Sequence, residues 1–310
     1  MPTAPALLVN FDPPTWVAAF QAHAPTLTVC TPDDMGDPER VDSLLTWHLQ
    51  PDLIERLPGL RLLCAVGAGV DYLVYTAQRR PELQIVRIVD EAVSGDVATL
   101  AVAATLQWLR DLRPYAQQQA QGLWQPRPHR SSAQTTVAIL GLGHIGCAAA
   151  RAFQALGFRV HGWSRTPKSL SGISTHAGAD GLRALLPQAQ VLVCALPLTP
   201  QTTGIVDQAL LAQLPTGAYL VNVGRGAHVD ESALLSALDS GRLAGAFLDV
   251  VTTEPLPNGH PLWRHPAVQL TPHVASRTQP ALVVPQIVEN LRRLRQGEPL
   301  MNRIDPAAGY

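Results

Sequence analysis

Three short segments in the second half of the chain bring together an arginine, a glutamate and a histidine: Val221-Asn-Val-Gly-Arg-Gly226, Asp249-Val-Val-Thr-Thr-Glu-Pro255 and Leu270-Thr-Pro-His-Val-Ala-Ser276. Each follows an apolar run of strand type. Open α/β sheets bind ligands outside the carboxyl ends of their strands, so Arg225, Glu254 and His273 are expected to meet there. Their chemistries are complementary. An imidazole exchanges a proton near neutral pH. A carboxylate beside it orients the ring and stabilises the imidazolium. A guanidinium polarises a carbonyl oxygen and grips a carboxylate through paired N–H groups. Such a set suits the reduction of a 2-keto acid, in which hydride reaches the carbon and His273 protonates the nascent alkoxide. A lone histidine is more often structural, but three matched groups on three strand ends point to a site.

Hydride chemistry needs a nucleotide, and Leu140-Gly-Leu-Gly-His-Ile-Gly146 supplies a place for one. It follows the apolar run Thr136–Leu140 and opens a helical run. Gly141 permits the tight turn, Gly143 lets the main chain approach a pyrophosphate, and Gly146 lets helix pack close on strand. The helix start, with His144 and Ile145, offers unsatisfied N–H groups and a positive dipole end to phosphate. In NAD sites an acidic residue ends the next strand and takes the ribose 2′-hydroxyl. Here that strand ends Trp163-Ser-Arg-Thr-Pro-Lys168, and the acid is missing. Ser164, Arg165 and Lys168 suit a 2′-phosphate, which favours NADP(H) over NAD(H).

These groups need elements to position them. The first hundred residues read as short buried strands (7–10, 26–30, 43–47, 60–66 and 85–89) alternating with short helices, an α/β half with a parallel sheet. Gly67-Ala-Gly69 follows the fourth strand and suits an anion cradle of main-chain N–H groups. Trp47 ends the third strand, where it walls a pocket or simply fills the core. A helix is expected over 96–112, with Ser94 as its cap and Pro114 just beyond its end. Residues 115–134 read as a polar surface arm. Strands are then expected at 136–140, 159–163, 191–196, 218–223, 243–249 and 268–270, with helices over 207–214 and 231–239, the latter capped by Asp230. A last helix, 280–296, returns to the first half. The fold class is therefore α/β, with two Rossmann-like or flavodoxin-like domains. The discontinuous substrate domain spans 1–95 and 279–310, and the dinucleotide domain spans 96–278.

Composition narrows the function classes. The 310 residues are 46% hydrophobic, with Lys+Arg 23 against Asp+Glu 24. That balance lacks the basic excess of a nucleic-acid binder. The cluster Arg292-Arg293-Leu-Arg295 reads as the solvated last turn of a helix. Cys30, Cys64, Cys147 and Cys194 sit in apolar runs without metal-like spacing, so no metal site is expected and the thiols read as buried and reduced. No secretory signal is visible, and no apolar stretch approaches a membrane span, so a cytoplasmic protein without membrane partners is expected.

The motifs together resemble the D-2-hydroxyacid dehydrogenases, most of all the A-type glyoxylate/hydroxypyruvate reductases. Carrying the resemblance are Gly67-Ala-Gly-Val-Asp71, Gly141–Gly146, Trp163-Ser-Arg165, Leu196-Pro-Leu-Thr-Pro200, Asn222-Val-Gly-Arg-Gly226, Leu248-Asp-Val250, Glu254-Pro-Leu-Pro257, Thr271-Pro-His-Val274 and the terminal Gly309-Tyr310. The resemblance implies a catalytic trio of Arg225, Glu254 and His273, and a substrate carboxylate held around Gly67, Ala68 and Gly69 beside Trp47. It further implies that Leu196, Pro197 and Val223 line the cofactor cleft, that Asp249 holds the nicotinamide carboxamide, and that the chain is a homodimer to which the arm after residue 112 contributes. Two positions depart from the family pattern: Thr99 stands where an acid is usual, and Ser276-Arg277 replaces more apolar residues. The activity implied is NADPH-dependent reduction of small 2-keto acids, with domain closure on the substrate. An NAD-linked dehydrogenase of larger D-2-hydroxy acids and a non-catalytic dinucleotide-binding regulator are the alternatives.

Overall fold

The structure, a computed structural model, describes residues 5–47, 51–74, 80–305 and 309. Tyr310, part of the terminal motif, lies outside them. Two compact units emerge, one of Met1–Asp90 with Arg277–Tyr310 and one of Glu91–Ser276.

The first unit holds β1 (Ala6–Val9), α1 (Pro13–His23), β2 (Val29–Cys30), β3 (Val41–Thr46), α2 (Pro51–Glu55), β4 (Leu62–Ala65) and β5 (Gln84–Val86). The strands form one sheet in the order β2-β1-β3-β4-β5, and every pairing is parallel. A parallel sheet must be covered on both faces, so its strands are buried on both sides and mostly apolar, with Asp42, Ser43 and Thr46 of β3 buried among them. Leu7 and Val9 point to one core, with Trp16, Phe20 and the C-terminal helix Pro280–Gln296. Ala6 and Leu8 point to the other, with Ile54 and Leu57. Arg295 of the C-terminal helix clasps the buried Asp42 on β3, Nε to Oδ2 at 3.0 Å and Nη2 to Oδ1 at 3.2 Å. The arginine cluster is thus not merely a solvated turn. One of its members is tied to the sheet, and Arg292 and Arg293 pair with Glu289.

The second unit holds α3 (Glu91–Leu109), α4 (Leu112–Ala120), β6 (Thr136–Leu140), α5 (His144–Ala155), β7 (Arg159–Ser164), β8 (Ser174–Ala177), α6 (Gly178–Leu185), β9 (Val191–Cys194), α7 (Gln208–Leu211), β10 (Ala218–Asn222), α8 (Glu231–Asp239), β11 (Leu243–Leu248) and β12 (Val268–Leu270). Its seven strands run β12-β11-β10-β9-β6-β7-β8, all parallel. The chain winds out from β6 in both directions, so the topological switch point lies at that strand's carboxyl end. Register then lines up one row across the sheet: Trp163, Leu140, Cys194, Asn222, Leu248 and Leu270 are successive partners. The segments singled out in the second half of the sequence begin within a few residues of this row.

Several elements differ from expectation. Helix α3 starts at Glu91, so Ser94 is a buried position within it rather than its cap. Pro114 lies inside the next helix, α4, because Asp111 turns the chain with a φ of 51° and restarts it. The arm is therefore part helix, followed by an exposed stretch without regular structure. By length and composition alone α3, with 19 residues and an 18-residue stretch of mean hydropathy 1.2, is long and apolar enough to cross a membrane, contrary to expectation. Here its Val97, Ala98, Ala101 and Ala104 pack against Ala149, Ala150 and Phe153 of α5. Strand β8 carries no apolar alternation and was not foreseen. Leu196, Val223 and Asp249 fall just past their strands, in the loops.

Candidate active site

Asp249 organises the histidine loop. It is buried, with 2% of its surface exposed, immediately after β11. Oδ1 accepts from the Thr271 hydroxyl at 2.6 Å and from the Val274 N–H at 3.0 Å, and Oδ2 accepts from the Ala275 N–H at 3.0 Å. Its main-chain oxygen accepts the His273 N–H at 2.8 Å. The loop is thereby wrapped tightly enough to hold His273 at a φ of 53°. A left-handed non-glycine residue costs about 1–3 kcal/mol and persists only where the surroundings over-determine it. Charge-assisted bonds to a buried carboxylate provide that determination.

The imidazole is thereby presented to Glu254. Nδ1–H donates to Oε2 at 2.7 Å, with both side chains about one-third exposed (32% and 37%). The second glutamate oxygen, Oε1, accepts the Val251 N–H at 3.2 Å, which folds the side chain back over its own loop. Glu231, at the start of α8, steadies that loop by accepting the Thr252 N–H at 2.8 Å. The result is an exposed acid–base pair on a fixed base.

Arg225 follows β10, the neighbouring strand to β11, and is half-buried. Its Nη1 donates to Gly224 O at 2.9 Å. Gly226 must be glycine: a Cβ there would lie 1.9 Å from the Val251 carbonyl carbon, so the arginine turn and the glutamate loop touch main chain to main chain. Three adjacent strand ends therefore deliver the arginine, the carboxylate and the imidazole, and the last two are directly bonded.

At the carboxyl end of β6 the glycine loop has the shape a pyrophosphate requires. Gly141 turns with a φ of 98°, and a Cβ there would meet Ala195 O at 2.6 Å. A Cβ on Gly143 would meet nothing within 4 Å, leaving open space before α5, whose first turn has no side-chain cap. His144 is exposed and Ile145 half-buried at the helix start. Leu196 and Val223 are buried and Pro197 half-buried in the loops after β9 and β10. At the end of β7 the Ser164 hydroxyl is buried and donates to Thr166 O at 2.8 Å, and Arg165 is exposed. Lys168 reaches back to donate to Leu142 O at 2.6 Å, bracing the glycine loop from the next turn. No carboxylate ends this strand, and the residues fit a 2′-phosphorylated dinucleotide.

In the first unit, Trp47 and Gly67 follow neighbouring strands. The indole sits between Phe11 and Tyr72, with ring centroids at 6.0 and 6.3 Å. Its Cζ3 edge would lie 2.6 Å from a Cβ at residue 67, so the ring rests on a glycine face. Gly67 is buried, and Ala68 and Gly69 are half-buried. Of the two departures, Thr99 bonds back to Gly95 O within its own helix at 2.8 Å, and Arg277 is exposed. Sequence reasoning missed the loop clamp of Asp249, the brace at Glu231 and the buried pair Asn222 and His228. For Asn222 and Asp249 the local signal is a polar residue at or just past an apolar strand end, and Glu231 and His228 carry none.

Comparison with known proteins is consistent with this geometry. A family profile described as D-isomer specific 2-hydroxyacid dehydrogenase, NAD binding domain, matches residues 102–275. A glyoxylate/hydroxypyruvate reductase A of Salmonella heidelberg (strain SL476) is 40% identical over 308 residues, covering 97% of each chain. A D-isomer specific 2-hydroxyacid dehydrogenase of Xanthobacter autotrophicus Py2, solved with NADPH and MES, superposes with a TM-score of 0.94 at 41% identity, over 99% of this chain and 100% of that one. An NADPH-dependent glyoxylate/hydroxypyruvate reductase of Sinorhizobium meliloti, solved with NADP and sulfate, gives 0.92 at 34% identity, over 99% and 100%. Strand order, site loops and these likenesses agree, and the chain belongs to the D-isomer specific 2-hydroxyacid dehydrogenase family.

Proposed function

We propose that this chain is an NADPH-dependent reductase of small 2-keto acids, glyoxylate and hydroxypyruvate first, giving glycolate and D-glycerate. The observation that carries the reading is the 2.7 Å pair of His273, past the end of β12, and Glu254, past the end of β11, with Arg225 following the adjacent strand β10. The printed names of the relatives, and the NADPH and NADP bound in two of the similar structures, support it.

The unit with Gly141–Gly146 holds the dinucleotide, which supplies the hydride when bound. The α5 start and Gly143 take the pyrophosphate, and Ser164, Arg165 and Lys168 take the 2′-phosphate. Leu196, Pro197 and Val223 form the apolar walls. Asp249 serves the nicotinamide carboxamide while holding the histidine loop. Main-chain N–H groups at Gly67, Ala68 and Gly69 receive the substrate carboxylate, and Trp47 shapes the wall beside them. Arg225 draws electron density onto the keto oxygen. Glu254 holds His273 through Nδ1, so Nε2 carries the proton delivered to the alkoxide as the C–H bond forms. The apolar side chains exposed along the arm, Leu112, Leu123 and Trp124, support a second copy of the chain as partner. Burial of Cys30, Cys64 and Cys194 as free thiols supports a reducing cytoplasm.

His273→Ala is expected to abolish turnover of glyoxylate while NADPH still binds, as checked by stopped-flow reduction and a fluorescence titration. Near-normal reduction would remove the proton-donor role. Arg165→Ala is expected to weaken NADPH about tenfold or more, in line with a lost charge-assisted contact, and NADH little. Equal losses for the two nucleotides would contradict the 2′-phosphate reading.

A further inference from the structure

His228 is fully buried, two residues after the turn at Gly226, and both of its ring nitrogens are engaged. The Arg225 N–H lies 3.0 Å from Nδ1, and Pro197 O lies 3.2 Å from Nε2. A carbonyl oxygen only accepts and an amide N–H only donates, so the ring is the neutral tautomer with its hydrogen on Nε2. The peptide on the other side of the Arg225 Cα is also held. Asn222, likewise fully buried, donates Nδ2–H to Arg225 O at 2.9 Å and accepts the Gly224 N–H at 3.1 Å. The seat is tight, since a Cβ on Gly224 would lie 3.0 Å from His228 Nδ1. Packing alone does not call for a polar ring here, because an apolar side chain would fill the same space without needing two partners.

We propose that His228 is a positioning residue: its neutral imidazole holds the Arg225 peptide through Nδ1 and ties it, through Nε2–H, to the Leu196–Pro197 segment. The inference rests on the role given above to Arg225. Clamped at N–H and C=O, the arginine Cα cannot swing, so the guanidinium starts from a fixed origin and its reach is set by its own torsions. Small misplacements of a polarising group cost large factors in rate. The tie to Pro197 makes one buried ring the bridge between the substrate-binding arginine and the wall of the nucleotide cleft.

Two substitutions separate the two bonds. His228→Asn sets an amide oxygen where Nδ1 was, keeping an acceptor for Arg225. His228→Gln reaches toward Pro197 and leaves the Arg225 N–H without its acceptor. In steady-state kinetics with glyoxylate and NADPH, His228→Gln is expected to lower kcat/KM for glyoxylate about tenfold, as one unsatisfied buried donor should, with KM for NADPH nearly unmoved. His228→Asn is expected to recover most of that loss and to show its defect in KM for NADPH. In an Arg225→Ala background His228→Gln is expected to add no further loss. If Arg225→Ala itself leaves the glyoxylate parameters unchanged, the reading of Arg225 fails and this inference goes with it. If Arg225→Ala is impaired but the two His228 variants behave alike, or the losses multiply in the double variant, the positioning role alone is overturned. Nitrogen NMR of the unsubstituted enzyme needs no variant to fold. At the assay pH it should show a neutral ring protonated at Nε2, and an imidazolium or an Nδ1–H ring would also overturn the proposal.

Discussion

Each unit has a glycine loop at the carboxyl edge of its parallel sheet, and the two glycine loops exist for different reasons. In the second unit a Cβ on Gly146 would lie 1.7 Å from Gly141 O and 2.8 Å from its carbonyl carbon. Main chain meets main chain there, so nothing can move aside without unwinding the turn. In the first unit the nearest atoms a Cβ on Gly67 would meet belong to the outer edge of the Trp47 ring, the first at 2.6 Å. A ring edge yields by rotating, whereas a peptide does not. Two motifs that look alike in sequence therefore differ in how much they tolerate, and the difference follows from what stands opposite the missing side chain.

The largest expected effect tests the rigid side of that contrast. Gly146→Ala should cost about 3 kcal/mol or more, the upper end of overpacking, and should abolish NADPH binding. Thermal melts and a fluorescence titration check both. Normal NADPH affinity in this variant would break the comparison. Gly67→Ala should cost less, about 1 kcal/mol, and should raise KM for glyoxylate while leaving NADPH affinity alone. The contrast sharpens if that cost vanishes in a Trp47→Leu background, where the added methyl meets no indole. The smallest effect separates the units by pH. His161 on β7 and His176 on β8 stack with centroids 5.3 Å apart and share a bond of 3.1 Å between Nδ1 and Nε2. Partial burial, then the neighbouring His176 and Arg159 charges, holds the His161 imidazole below its usual 6.5. With the folded value depressed, the unfolded chain takes up more protons as pH falls. The stabilisation is therefore complete above pH 6.5 and lost as pH drops toward the folded value. Hydrogen exchange between about pH 7 and 5.5 should thus loosen β7 and β8 before any strand of the first unit, and His176→Asn should reduce the effect. Uniform loosening of both sheets would exclude it.

The strands β6 and β12 were legible to the residue because apolar runs bounded by turn formers are a local signal. The C-terminal helix was legible for the same reason, with Pro280 at its start and Gly297 closing it at a φ of 71°. Strand β8 was not, since an edge strand of Ser-Thr-His-Ala buries too little to show a pattern. The break at Asp111 was missed because a left-handed aspartate leaves no mark in composition, and α4 beyond it reads as polar arm. Arg295 was misjudged because its partner, Asp42, lies 253 residues away along the chain.

What the sequence determined by itself was the type of each reacting group and its place just past a strand, together with the glycines that admit a nucleotide and the absence of an acid at Ser164. These are properties of short segments, where side-chain period and turn chemistry act over a few residues. Tertiary structure alone decided that Asp249 wraps the histidine loop, that His273 takes a left-handed turn toward Glu254, and that His228 ties the Arg225 turn to Pro197. Most of those arrangements come from hydrogen bonds between segments that meet only when parallel strands align their ends, and no local pattern records such a meeting.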